Sequence, residues 1–204
     1  MKFYNSVGPN PRMVRMFMAE KGFDVPKVEV DLRGGENRRA PYLAVNPSGQ
    51  TPALELEDGT VLAEITAICE YVDEIKKDTP SLIGDTAEER ARTRMWTRRV
   101  DLNICEPAAN GFRFAEGLKM FQERVHCIPQ AADDLKLTAR KKLTWLDGLM
   151  GAQPFIAGGK ITMADILLFA VLDFMKNVGQ PLEPANKNLT AWFDRMKSRP
   201  SAAA

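Results

Sequence analysis

The stretch NPSGQTPALELEDGTVLAEITAICEYVDE, residues 46–74, decides how this chain folds. Pro47, Gly49 and Pro52 punctuate its opening, and Asp58-Gly59, a pair favoured in tight hairpin turns, divides the rest into TPALELED and TVLAE. The first run alternates apolar with polar residues, the pattern of a strand with one buried face, and the second is a short apolar run that would pair with it across the turn. EITAICEYVDEIK then switches to helical spacing. The block reads as two hairpin strands followed at once by a helix.

Upstream, MKFYNS is strand-like, VGPNP is a Gly-Pro-rich loop, and RMVRMFMAEKG has the spacing of a helix ending at Gly22. PKVEVDL alternates as a second strand. The opening is therefore β-α-β, which calls for a parallel pair joined by a right-handed crossover. ENRRAPYLAVNPSG holds a short irregular helix and loop, limited by Pro41 and Pro47. Residues 1–78 thus have the order β-α-β-α-β-β-α, a small α/β domain on a mixed sheet. The turn residues of DTPSLIGDT mark a linker at 79–87. From 88 to 204 the pattern is almost wholly helical, in EERARTRMWTRRVDLNICEPAANGFRFA, AADDLKLTARKKLTWLDGLMG, TMADILLFAVLDFMKNVG and LTAWFDRMKSR. The expected fold class is α/β plus all-α, the second part a helical bundle.

The 204 residues are 45% hydrophobic and 27% charged with a net charge of +1, ordinary for a soluble globular protein and without a nucleic-acid footprint. No apolar run reaches the roughly 18 residues that span a bilayer. The longest, ADILLFAVLDFM, is interrupted by Asp165 and Asp173. The chain starts directly with strand-like residues and no signal peptide, so a cytoplasmic location is expected. Cys69, Cys105 and Cys127 are odd in number and lack metal-ligand spacing, which fits a reducing compartment and no metal. His126 and Cys127 are neighbours, and neighbours on a helix do not face each other.

Pro52 opens a strand directly after a loop. Such a position suits a cis peptide bond that turns the preceding N–H and C=O outward toward a ligand, or equally a trans proline on a sheet edge. Thr162 and Asp165 in ITMADILL form a capping box, a structural motif.

Taken together, the 46–74 block and FIAGGKITMADILLFAVL resemble the cytosolic glutathione transferase family, and the resemblance covers nearly the whole chain. It implies a thioredoxin-like N-terminal domain, an all-α C-terminal domain, a cis Thr51-Pro52 bond and a homodimer. In that family Thr51 would pair its backbone with the cysteinyl part of glutathione as an added antiparallel strand. Glu64, with the N–H groups of Ile65 and Thr66 at the following helix start, would hold the γ-glutamyl carboxylate. Ile65 stands where relatives usually carry serine. Gln50 and Arg38 or Arg39 match the glycyl end, and Asp101 matches a place from which the partner subunit reaches the glutathione amine. Phe112, Arg113 and Phe114 are candidates for the electrophile wall, although an aromatic is more often core.

Catalysis needs a glutathione thiolate, and free thiols near pKa ~8.5 are mostly protonated at neutral pH. Most relatives supply a Tyr, Ser or Cys in the loop after the first strand, here SVGPNPRMVRM. The closest pattern is that of the fungal, yeast-type subgroup, whose similar GP-aromatic-P loop lacks such a residue and relies on a helix N-terminus and an ordered water. Asn10 replaces the aromatic. N–H groups near Asn10 and Arg12 are the expected thiolate stabilisers, with Ser6 as a fallback. The expected function is detoxifying transfer of glutathione, a co-substrate with no separate cofactor, to a small hydrophobic electrophile. The alternative is a glutathione-binding or protein-interaction module without chemistry. Thiol–disulfide exchange ranks last, since the first loop has no cysteine.

Overall fold

In the chain's N-terminal region, residues that alternate between faces become short strands and the amphipathic runs between them become helices. The computed structural model describes residues 1–204. Its elements there are β1 (Lys2–Asn5), α1 (Pro9–Glu20), β2 (Lys27–Glu29), α2 (Ala40–Val45), β3 (Ala53–Glu55), β4 (Val61–Leu62) and α3 (Ile65–Ile75), with a 3-10 turn at Glu36–Arg38. The sheet order is β2-β1-β3-β4; β1 and β2 are parallel, and β1–β3 and β3–β4 antiparallel. This is the mixed thioredoxin-like sheet that the opening pattern required. The hairpin closes through Leu56 N–H on Thr60 O at 2.8 Å, with Gly59 at φ 84°, a left-handed conformation that suits glycine.

Helix α1 starts earlier than its spacing suggested, at Pro9 inside the supposed loop. First-turn N–H groups have no intrahelical acceptor, so Pro9 and Pro11 cost nothing there and their fixed φ favours the helix. The face formed by Met13, Val14, Met16, Phe17 and Met18 is buried. At its other end Lys21, only 1% exposed, pairs with Asp73 Oδ1 of α3 at 3.0 Å and donates to the carbonyls of Thr79 and Pro80. Asp73 also accepts from Ser81 Oγ and Leu82 N–H, so one buried ion pair ties α1, α3 and the following loop. Lys21→Met should lower stability by about 2–3 kcal/mol, below the usual loss for a broken buried pair because Asp73 keeps two donors. A fall in urea midpoint at unchanged slope is the expected reading.

The helical region contains α4 (Ala87–Val100), α5 (Glu106–Arg113), α6 (Leu118–Phe121), α7 (Ala132–Met150), α8 (Met163–Met175) and α9 (Lys187–Lys197). The first helical run is not continuous: Asp101–Cys105 forms a π-helical turn between α4 and α5. Pro107 lies just beyond it and has no N–H for the helical bond, which gives a local reason for the break. His126 and Cys127 lie outside any helix, after α6. Nearly all of α8 is buried. No helix is long and apolar enough to cross a membrane.

Two compact units result, Met1–Ile83 with Pro200–Ala204, and Gly84–Arg199. The last five residues, expected with the helices, join the first unit. Arg12 Nη2 donates to Ala202 O at 2.9 Å, Arg15 Nη2 to Ala204 O at 3.5 Å, and Ser201 bonds Glu20, contacts between distant residues that no local pattern encodes.

Candidate functional site

Thr51 lies between two helix starts. Continuing the β1–β3 register by two residues brings Ser6 opposite Thr51, and their hydroxyls are 2.5 Å apart. Ser6 is three residues before the start of α1. Continuing the β3–β4 register in the same way brings Glu64, the residue before α3, opposite Pro52. Thr51-Pro52 is cis, and the Thr51 backbone N–H and C=O make no hydrogen bond within the chain. The first unit thus offers an unpaired backbone step just before the start of the central strand β3, near two positive helix ends.

The loop before Thr51 is held from inside. Asn37 Nδ2 donates to Gly49 O at 2.5 Å, while the Tyr42 hydroxyl and Asn46 Nδ2 donate to Gln50 O at 2.7 and 2.8 Å. Ser48 N–H and Oγ both donate to Asn46 Oδ1, the turn that the Asn-Pro-Ser-Gly sequence favours. Nothing in the spacing of Asn37 and Tyr42 signalled this role.

Glu64 has φ 65° and ψ 122°, the one non-glycine residue in the chain with positive φ. Such a conformation persists only where the surroundings over-determine it, and it is a feature of ligand sites. No side chain caps α3, and its first bond is Ile68 N–H to Glu64 O at 3.0 Å. The N–H groups of Ile65, Thr66 and Ala67 are consequently left without acceptors in the chain.

At the start of α1, Pro9 and Pro11 have no N–H. That of Arg12 reaches Gly8 O at 3.4 Å, and the Arg12 side chain turns to Ala202. Asn10, half-buried, keeps both its N–H and its side-chain amide available. Ser6 is buried, with its hydroxyl on Thr51 Oγ1 and Val7 O. Gln50 and Arg38 are exposed; Arg39 is turned onto Gly34 O at 2.9 Å.

The other sequence candidates lie in the helical unit. Asp101 opens the π-helical turn and is half-buried. The half-buried Phe112 ring packs edge-on against Phe121 at 6.0 Å and Phe174 at 5.3 Å. Arg113 bonds Asn110 Oδ1 at 2.8 Å and covers Phe121, and Phe114 follows at the end of α5. Cys69 and Cys105 are buried, and desolvation pushes both thiols well above the ordinary range, which disfavours the thiolate at each.

A thioredoxin-like unit with a cis-proline before a central strand, followed by a helical unit, defines the architecture of glutathione transferases. Residues 7–75 match the family model for the glutathione S-transferase N-terminal domain, and residues 129–195 that for the C-terminal domain. The chain is 35% identical over 201 residues to glutathione S-transferase 2 of Saccharomyces cerevisiae, covering 95% of this chain and 84% of that one. It is 29% identical to glutathione S-transferase GstA of Escherichia coli O157:H7, covering 98% and 94%. The crystal structure of Gtt2 from Saccharomyces cerevisiae superposes with a TM-score of 0.92 at 33% identity, covering 100% of this chain and 99% of that one. A glutathione S-transferase domain-containing protein from Marinobacter aquaeolei VT8 gives 0.90 at 34%, covering 98% and 99%. The chain belongs to the glutathione S-transferase family, and its likeness to the yeast enzyme agrees with the subgroup expected from the first loop.

Proposed function

We propose that the protein binds glutathione along Thr51, holds it as a thiolate beside the start of α1, and transfers it to a small apolar electrophile. The observation that carries this reading is the unpaired Thr51 backbone between two helix N-termini. Two hydrogen bonds to Thr51 fix the cysteinyl residue of the tripeptide as an added strand. The γ-glutamyl carboxylate meets the N–H groups of Ile65 and Thr66, and Glu64 lends a carboxylate to the adjacent ammonium. Gln50 and Arg38 take the glycyl end, with Asp101 from a second copy of the chain completing the amine site in a homodimer. Phe114 is the most available of the three electrophile-wall candidates, since Phe112 and Arg113 are engaged in their own unit. The reaction is attack of thiolate sulfur on an electrophilic carbon of the substrate, forming a C–S bond as a leaving group departs with its bonding electrons, and the helix end lowers the cost of the charge on sulfur.

The test is the ultraviolet absorbance of the bound glutathione thiolate, titrated from about pH 5 to 9. An apparent pKa at least about one unit below the free value of ~8.5 is expected, which raises the thiolate fraction near neutrality. Binding with an unshifted pKa would point to a holding module. No binding would overturn the site.

A further inference from the structure

The hydrogen bonds behind Thr51 have a directional consequence. Gln50 C=O and Thr51 N–H belong to one peptide group, and in a trans peptide the two point in opposite directions. The carbonyl end is gripped by two donors from separate positions, the Tyr42 hydroxyl on α2 at 2.7 Å and Asn46 Nδ2 at 2.8 Å. Both residues are 5% exposed. With the carbonyl held inward, the N–H is held outward, on the side where the chain supplies no acceptor.

We infer that Tyr42, assisted by Asn46, is a positioning residue for glutathione: it aims the Thr51 N–H at the ligand by holding the other end of the same peptide. The inference rests on the proposed glutathione site. Tyr42 acts through Thr51 and touches no reacting atom. Its ring is fixed edge-on to Tyr4 at 5.9 Å and packs with Val30 and Ala53, so the hydroxyl has one place to point. Burial pushes its pKa up to about 12, and it remains a donor throughout the range in which a glutathione thiol titrates.

Tyr42→Phe keeps the ring and deletes the hydroxyl. The glutathione Kd, measured by calorimetry on the full chain, should rise about three- to tenfold, the loss typical of one hydrogen bond. With 1-chloro-2,4-dinitrobenzene as electrophile, KM for glutathione should rise in step while kcat at saturating glutathione and KM for the electrophile stay put. A lowered melting temperature with unchanged Kd would mark Tyr42 as structural only and overturn the inference, as would an equal fall in kcat. Wild-type protein that binds no glutathione would instead overturn the proposed function and this inference with it. If wild type binds without turning over, the calorimetric comparison alone decides.

Discussion

Asn10→Pro should cost about ten- to a hundredfold in kcat/KM, while Asn10→Ala costs only a few-fold. Pro9 and Pro11 remove two N–H groups from the first turn of α1, and Arg12 spends its own on Gly8 O. One backbone donor, that of Asn10, is left to meet a thiolate. Loss of a single preorganised donor to a developing anion costs about 10²–10³ in kcat where that anion is an oxyanion. Sulfur spreads its charge over a larger radius and accepts weaker hydrogen bonds, which sets the lower figure. Proline is sterically admissible because the second helical position needs no intrahelical N–H. Alanine keeps the N–H and the helix dipole and removes only the amide side chain. Titration of the bound thiol separates the outcomes: the proline variant should raise its apparent pKa toward ~8.5, and the alanine variant should leave it nearly in place. Equal losses in both would assign the role to the Asn10 side chain. Equal activity in both would move the thiolate to another donor, with Ser6 the next in line because its hydroxyl already reaches Thr51.

The reading of the hairpin from residues 46–74 rested on features that are local: the Pro and Gly residues of its opening, the alternating ALELE run and the Asp58-Gly59 turn each involve neighbours in sequence. The Thr51-Pro52 step stood out for the same reason, as a proline opening a strand after a Gly-containing loop, whereas Glu64 was singled out by the family resemblance. What the pattern hid depended on register or on distance along the chain. Pro9 and Pro11 resemble helix breakers until the first turn's lack of acceptors is considered. The unavailability of Arg12 follows from Gly8 and Ala202, one residue adjacent in fold and the other at the far end of the sequence. Tyr42 looks like any aromatic on a short helix; only the folded loop brings the Gln50 carbonyl to its hydroxyl. The π-helical turn at Asp101–Cys105 changes the facing of every residue from Asp101 onward, and no regular helical spacing carried across the first run announces it.

Asp165→Ala is expected to be the most destabilising single change in the helical unit, at about 3–5 kcal/mol. Its carboxylate is fully buried, and each oxygen takes two donors: Oδ1 from Ile156 N–H and Trp192 Nε1–H, Oδ2 from Thr162 N–H and the Thr162 hydroxyl, all at 2.9 Å. The group therefore does more than close the capping box of α8. It joins the helix start to the 155–158 turn and, through the indole, to α9. Burial pushes the carboxyl pKa up, and the four donors oppose that shift by stabilising the anion. Alanine would leave two backbone N–H groups and the indole N–H of the fully buried Trp192 without acceptors in a dry interior, where each orphan costs about 1–3 kcal/mol. Asparagine is not a safe substitute, because either orientation of its amide sets an NH₂ against at least one N–H donor. Only the Thr162 hydroxyl can turn to accept, so Asp165→Asn should fall between alanine and wild type. Thr162→Ala, which keeps the carboxylate and its other donors, should cost only about 1 kcal/mol. Thermal unfolding followed by circular dichroism should rank the three in that order, with Asp165→Ala lower in melting temperature by on the order of 10 °C. A loss as small as that of Thr162→Ala would mean that water satisfies the orphaned donors, and that the aspartate caps one helix without fastening α9.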